Sequence, residues 1–299
     1  MNRQEMTARI ARGDGFIAAL DQSGGSTPKA LRAYGVADEE WNGEEEMFAR
    51  IHEMRSRIIR SPAFSGDKVV GAILFEKTMD GAVDGAPVSE ALIDKGVVPF
   101  LKIDKGLEDE ANGVQLMKPI PDLGALLDRA KSLGVFGTKE RSVINSDDRQ
   151  GIADIVAQQF ELGRRVLEHD MMPILEPEYS IKADGRAEGE VILRDEILTH
   201  LEALPEERQV MLKLSLPVEP DLFRPVVEHP RVLKVVALSG GYTRDEACAQ
   251  LARNAGVIAS FSRALLDGLR AEMSDEEFDR TLGEAIDAIH RASTQKVAA

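Results

Sequence analysis

Eight short apolar runs recur along the whole chain, and they constrain its fold more than any other feature. They are GFIAALD (15–21), VVGAILF (69–75), VVPFLKI (97–103), GVFGTK (134–139), MMPILE (171–176), QVMLKL (209–214), LKVVALS (233–239) and VIASFS (257–262). Each has the length of a strand and is nearly continuous in apolar residues, as when both faces are buried. Between them lie helical patterns such as IADIVAQQFELGRRVLEH (152–169), GEVILRDEILTHLEAL (189–204) and TRDEACAQLARNA (243–255). Thr243 and Glu246 stand at capping-box spacing at the start of the last of these. Alternating strands and helices imply a parallel sheet with right-handed crossovers. Eight such units predict a closed α/β fold, a (β/α)8 TIM barrel, rather than an open sheet. No linker or shift in composition divides residues 1–299, so one barrel domain is expected. Residues 36–60 read as a helical elaboration of the first unit, and 274–291 as a C-terminal helix with a frayed end, STQKVAA.

Composition narrows the function classes. Acidic residues outnumber basic ones, 52 to 37, for a formal charge of -15. Such a chain is a poor nonspecific binder of nucleic acid or of anionic membranes. One cysteine, Cys248, excludes an intrachain disulfide framework and a Cys-based zinc cage. The histidines form no HxH or HExxH pair, and no metal-ligand spacing is present. No apolar run approaches the ~18 residues of a membrane span. Residues 1–12 are amphipathic and mixed in charge, unlike a signal peptide. A cytoplasmic protein is expected, and a homo-oligomer is compatible with the sequence.

In α/β barrels the chemistry lies at the C-terminal ends of the strands. Seven of the eight runs deliver functional side chains there: Asp21, then Lys102 with Asp104, Lys139 with Arg141, Glu176 with Glu178, Lys213, Ser239-Gly240-Gly241, and Ser262-Arg263. Each has a plain structural reading beside the functional one. Asp21 could cap the next helix, Lys102 could be a solvated rim charge, and Lys139 and Arg141 could pair with acids on neighbouring loops. Glu176-Pro177-Glu178 could be an acidic turn, and Ser239-Gly240-Gly241 an ordinary helix entry. Lys213 is harder to explain away, because a lysine inside MLKLSLP carries a buried charge that must be neutralised or paired. Functional lysines in such places act as bases or Schiff-base nucleophiles.

A glycine loop that opens a helix presents free backbone N–H groups to an anion, and Arg263 adds a bidentate donor. Phosphate sites after strands seven and eight are common in this fold. Ser23-Gly24-Gly25-Ser26 with Lys29 could hold a second phosphate, or be a flexible loop and helix start. A ketone phosphate held at Ser239-Gly240 and Arg263 would bring its carbonyl to Lys213. The resulting iminium is an electron sink that permits cleavage of an adjacent C–C bond. Lys139 nearby disfavours a charged Lys213, Glu176 is the natural acid for dehydration, and Asp21 the natural base for cleavage. No metal or other cofactor is required.

With these residues the chain resembles the class I, Schiff-base fructose-bisphosphate aldolases, and among them the compact bacterial form. The matching segments are AALDQSGGS (18–26), GAILFEKTMDG (71–81), GVVPFLKIDKGL (96–107), GVFGTKERSVI (134–144), PILEPEYS (173–180), VMLKLSLP (210–217), ALSGGYTRDEA (237–247) and ASFSRALLDGL (259–269), in order. The resemblance implies reversible cleavage of fructose 1,6-bisphosphate to dihydroxyacetone phosphate and glyceraldehyde 3-phosphate, in glycolysis or gluconeogenesis. It implies Lys213 as Schiff-base lysine and Glu176 as acid–base glutamate, with Glu178 its neighbour. Asp21 matches the catalytic aspartate and Lys139 the lysine beside the nucleophile. Lys102 and Asp104 match the strand-three pair. Ser239, Gly240 and Arg263 match the phosphate set nearer the ketone, and Ser26 and Lys29 part of the far-phosphate site. Compared with the animal pattern, Gln22 replaces a glutamate, Ala30 an arginine, Glu140 a tryptophan and Ser262 a glycine. Ala30 weakens the far-phosphate site and keeps alive a Schiff-base aldolase for another ketose phosphate. A catalytically idle scaffold on the same barrel is the remaining alternative.

Overall fold

The computed structural model describes residues 1–297. Eight parallel strands form the barrel: β1 (Phe16–Leu20), β2 (Val69–Leu74), β3 (Val98–Lys102), β4 (Gly137–Ile144), β5 (Met172–Tyr179), β6 (Val210–Ser215), β7 (Val232–Leu238) and β8 (Ile258–Ala259). Each pairs with the next in chain order. The barrel closes where the backbone N–H of Ala19 in β1 donates to the Phe261 carbonyl just past β8, at 3.1 Å. The expected (β/α)8 barrel is therefore the observed one.

Among the described residues twelve α-helices accompany the strands. They are α1 (Arg3–Arg12), α2 (Ser26–Tyr34), α3 (Gly43–Arg60), α4 (Glu76–Met79), α5 (Val88–Asp94), α6 (Leu123–Ser132), α7 (Arg149–Glu168), α8 (Arg186–Glu202), α9 (Arg224–Val227), α10 (Arg244–Ala252), α11 (Arg263–Leu266) and α12 (Asp275–Thr294). None among the described residues is long and apolar enough to cross a membrane. The capping box read at Thr243 and Glu246 is present at the start of α10.

Two strands outrun their apolar stretches. β4 continues past Lys139 to Ile144, and β5 past Glu176 to Tyr179, because the two strands pair without a break from Gly137–Met172 to Ile144–Tyr179. A short antiparallel strand, Val114–Gln115, covers the far end of β4. Hydrogen bonding extends these strands where hydrophobicity stops marking them. The C-terminal end is also more ordered than its sequence suggested. Lys296 Nζ donates to the carbonyls of Leu251, Val257 and Ala292 at 3.1, 2.6 and 3.0 Å, and Val297 N–H to that of Ala252 at 2.9 Å. Ala298 and Ala299 fall outside the described residues.

Successive strand residues point to opposite faces, so each strand serves two cores. Ala18, Leu20, Leu101, Leu175 and Leu212 point outward into the large layer between barrel and helices. Ile17, Val98, Phe100, Met172, Ile174 and Met211 point inward and fill the lower barrel, where Met6 and Ile10 of α1 plug the base. Two residues further along the same inward rows come Lys102, Glu176 and Lys213, and on β1 Asp21 follows after Ala19; they open onto the upper cleft. The strand pleat thus carries each inward row from apolar floor to charged rim.

Candidate active site

The cleft at the C-terminal ends of the strands has a volume of about 1250 Å³. Its lining includes Asp21, Ser23, Ser26, Lys29, Lys102, Asp104, Lys139, Arg141, Glu176, Glu178 and Lys213, and also Ser239, Gly240, Gly241, Ser262 and Arg263. Every site residue read from the sequence therefore reaches one cavity. Strand register sets their level. Lys102 pairs with Lys139 across β3 and β4, Arg141 with Glu176 across β4 and β5, and Val236 with Lys213 across β7 and β6.

At the floor, Lys213 Nζ lies 3.0 Å from Glu176 Oε1, and Lys139 Nζ lies 2.9 Å from Glu176 Oε2. One buried carboxylate therefore bridges two buried ammonium groups. Lys139 also lies 2.7 Å from Asp21 Oδ2 and 4.0 Å from Asp104 Oδ1. Lys102 Nζ lies 2.6 Å from Asp104 Oδ2, and Arg141 Nε pairs with Glu178. Charges so far from water persist only because each is paired. The sequence predicted Lys139 as a cation acting directly on the Lys213 amine. In the structure Glu176 stands between them, so the two lysines share a counter-ion.

The fields follow from these distances. Burial pushes the Asp21 carboxyl up, but Lys139, with Lys213 and Lys102 behind it, outweighs burial and holds Asp21 well below the ordinary carboxylate range. Burial likewise raises the Glu176 carboxyl, and Lys139 and Lys213 reverse the shift to a net lowering. Lys139 would be pulled down by burial, but Asp21, Glu176 and Asp104 raise it above the ordinary lysine value. Lys139 is thus a fixed cation that keeps two carboxylates ionised.

The rim around Ser239 is built by backbone conformation. Gly240 (φ +62°) and Gly241 (φ +116°) are left-handed, and a Cβ at Gly240 would lie 2.8 Å from Ile181 Cγ2. Only glycine allows this loop to turn so close to Ile181. A Cβ at Gly241 would lie 3.6 Å from Arg263 Nη2, so the guanidinium stands over the loop. The loop does not open the helix directly, as its sequence suggested. Tyr242 N–H turns back to the Ser239 carbonyl at 2.9 Å, and α10 starts only after Thr243, whose side chain caps it. An anion here would meet loop amides and Arg263 rather than a bare helix end. At the opposite rim, Ser26 Oγ donates to the Ser23 carbonyl at 2.7 Å and accepts from Ser23 N–H at 2.9 Å, which leaves Lys29 as the group of that loop best placed to meet an anion.

Several residues of the site were not singled out in the sequence. Arg55 of α3 is fully buried and donates to Thr78 Oγ1 at 2.6 Å, the Gln22 carbonyl at 2.5 Å and Gln22 Oε1 at 3.1 Å. Its signal was an arginine on the buried face formed by Ile51, Met54, Ile58 and Ile59. Gln159 of α7 accepts from Glu176 N–H at 3.2 Å and donates to Ser142 Oγ at 2.8 Å, supporting β5 from behind. Glu140, read from the sequence only as a departure from the animal pattern, lies beside Lys139 but on the outer face of β4; it is fully buried, and burial pushes its carboxyl far above the ordinary range. Ser260 is buried in the cleft wall with a hydroxyl that has no partner among the described residues.

Fold and site together define a (β/α)8 barrel with a lysine–carboxylate cluster at the C-terminal ends of its strands. The family model for glycolytic, class-I fructose-bisphosphate aldolase matches residues 3–220, and the chain belongs to that family. Among solved structures it is similar to fructose-bisphosphate aldolase from Plasmodium falciparum, determined in a ternary complex with TRAP and a small-molecule inhibitor. The TM-score is 0.76 at 19% identity, over 99% of this chain and 96% of that one. That likeness carries the fold, while the family rests on the sequence match.

Proposed function

We propose that the protein is a metal-independent aldolase that reversibly cleaves fructose 1,6-bisphosphate through a Schiff base on Lys213, as a cytoplasmic enzyme of glycolysis or gluconeogenesis. The observation that carries this reading is the Glu176 carboxylate shared between Lys213 at 3.0 Å and Lys139 at 2.9 Å. Glu176 takes a proton from Lys213, and the free amine attacks the ketone carbon. Glu176 returns the proton to the carbinolamine oxygen, which leaves as water, and the iminium forms. Asp21 then takes the proton of the hydroxyl one carbon beyond the scissile bond. The C–C bond breaks, its electron pair moves to the iminium to give an enamine, and the aldehyde departs. Protonation of the enamine carbon and hydrolysis release the ketone and restore Lys213. The iminium itself accepts the electron pair, so no step asks for a Lewis acid.

Arg263 with Ser239, Gly240 and Gly241 serves the phosphate nearer the ketone, with Ser262 beside them. Lys29, with Ser23 and Ser26, faces the other phosphate. Lys102, Asp104, Arg141 and Glu178 orient the chain of hydroxyls between. A second reading, a ketose phosphate other than the bisphosphate, is favoured by Ala30 and by the self-bonded Ser26 Oγ, which leave the far end lightly equipped. An idle scaffold is disfavoured because the whole cluster is kept. Borohydride reduction with dihydroxyacetone phosphate tests the chemistry: label on the Lys213 peptide is expected, and activity without label at any lysine would refute it. Turnover of fructose 1,6-bisphosphate against fructose 1-phosphate in excess chelator separates the two substrates.

A further inference from the structure

Gln22 and Ser262 come from opposite ends of the chain and meet at the barrel seam, where Gln22 Nε2 donates to Ser262 Oγ at 2.6 Å. The Gln22 amide has one tolerable orientation. Its Oε1 accepts from Arg55 Nη2 at 3.1 Å and its Nε2 also donates to the Ala19 carbonyl at 3.2 Å. Flipping the amide would set NH2 against a guanidinium and oxygen against a carbonyl. Arg55 has no carboxylate partner among the described residues, and its contacts are to a carbonyl, an amide oxygen and a hydroxyl. Burial lowers this guanidinium only to about 10, with Asp21 opposing, so it stays charged at neutral pH.

The direction of each bond then follows. Ser262 Oγ is occupied as an acceptor, and it donates to no protein group among the described residues. Its O–H is left for the cleft, which Ser262 lines beside Arg263, Gly240 and Gly241. The unpartnered hydroxyl of Ser260 lies two residues earlier on the same inward row. We infer that Arg55 and Gln22 are positioning residues which fix the Ser262 hydroxyl as a donor to a phosphate group in the cleft. The chain of donors runs from buried guanidinium to amide to hydroxyl to anion. Each bond polarises the next, so a cation that never touches the ligand contributes to holding it. This rests on the reading that the cleft takes a phosphorylated substrate, and it adds the residues that set the polarity of that subsite.

The test uses inorganic phosphate as the probe, titrated by calorimetry at the site whose affinity falls in Arg263→Ala. Ser262→Ala is expected to weaken phosphate there about 10-fold, as for a hydrogen bond to a charged group. Gln22→Glu keeps an acceptor for Arg55 but gives up the bond to the Ala19 carbonyl; it can only accept from Ser262 and turns that hydroxyl away from the cleft, and the comparison of Ser262→Ala in the two backgrounds separates this from a general loosening of the seam. Phosphate affinity should fall, and Ser262→Ala added to Gln22→Glu should cost nothing more. Equal losses from Ser262→Ala in both backgrounds would overturn the relay, as would no loss from Ser262→Ala alone. Arg55→Lys keeps charge without the fork and is expected to weaken phosphate as well. A lowered Tm with unchanged phosphate affinity in that variant would reduce Arg55 to a packing role and refute its part. Phosphate binding needs no Schiff base, so absence of borohydride label at Lys213 would sink the aldolase reading while leaving this result to stand or fall separately.

Discussion

Lys139 reaches across the barrel to lie 2.7 Å from Asp21, and this contact opposes the burial that would otherwise raise the aspartate's carboxyl. Removing the cation reverses the balance. In Lys139→Met the Asp21 carboxyl should titrate at higher pH, because burial then acts with less opposition. On the proposed chemistry Asp21 is the base and must be deprotonated to act, so the acid limb of kcat/KM should move to higher pH, with kcat lowered at all pH values. A pH–rate profile with its acid limb in the wild-type position would show that Lys139 does not control the base.

Glu176→Gln keeps the shape of the side chain and removes the proton transfer proposed for it. Turnover should fall by roughly 10²–10⁴-fold, with a much smaller change in the affinity for dihydroxyacetone phosphate. Single-turnover kinetics beside a binding titration separate the two. A wild-type kcat would move the acid–base role elsewhere, with Glu178 next in line on the same strand.

Arg263→Ala should weaken the three-carbon ketone phosphate by about 10- to 150-fold, corresponding to ~1.5–3 kcal/mol for a charge-assisted contact. The fold should be little affected, since the guanidinium stands over a glycine loop in the open cleft. Unchanged affinity in a titration would place the phosphate away from the Gly240–Gly241 loop.

Activity should survive excess EDTA. Asp104, Asp21, Glu178 and Glu176 are already matched to Lys102, Lys139, Arg141 and Lys213, and on the proposed chemistry the iminium supplies the electron sink. Loss in chelator with recovery on adding zinc would refute the metal-independent route.

Glu140 gives a prediction about stability rather than rate. Its carboxyl is raised in the folded state, so the fold binds that proton more tightly than the unfolded chain does. The stability this contributes is complete below the ordinary carboxylate range and is lost as pH rises through it toward the folded value. Glu140→Gln removes the titration. The Tm of the variant relative to wild type should therefore increase from pH 4 to pH 8. A difference independent of pH would mean that Glu140 ionises alike folded and unfolded.

The barrel was legible because fully buried strands leave continuous apolar runs, and the cleft because the residues ending those runs share one rim. What sequence hid was pairing. Nothing in MLKLSLP or PILEPEYS says that Glu176 stands between Lys213 and Lys139, since that depends on the register of β4, β5 and β6. Strand ends set by hydrogen bonding, such as β4 beyond Lys139, carry no hydrophobic mark. Arg55 was hidden for another reason: a charge on an apolar helix face signals burial but not its partner, and Gln22 lies 33 residues away.

Met6 and Ile10 of α1 seal the base of the barrel, so that among the described residues the cleft opens at the C-terminal ends of the strands. Substrate, water and both products must share that opening. On the proposed chemistry the ketone half stays tethered to Lys213 at the bottom, while the aldehyde half is free nearer the lip. The aldehyde must leave before the ketone can be hydrolysed and pass out along the same route. In the synthetic direction the ketone must enter first. A plugged barrel thereby imposes an order of traffic, so product inhibition by the two halves should follow an ordered pattern, not a random one.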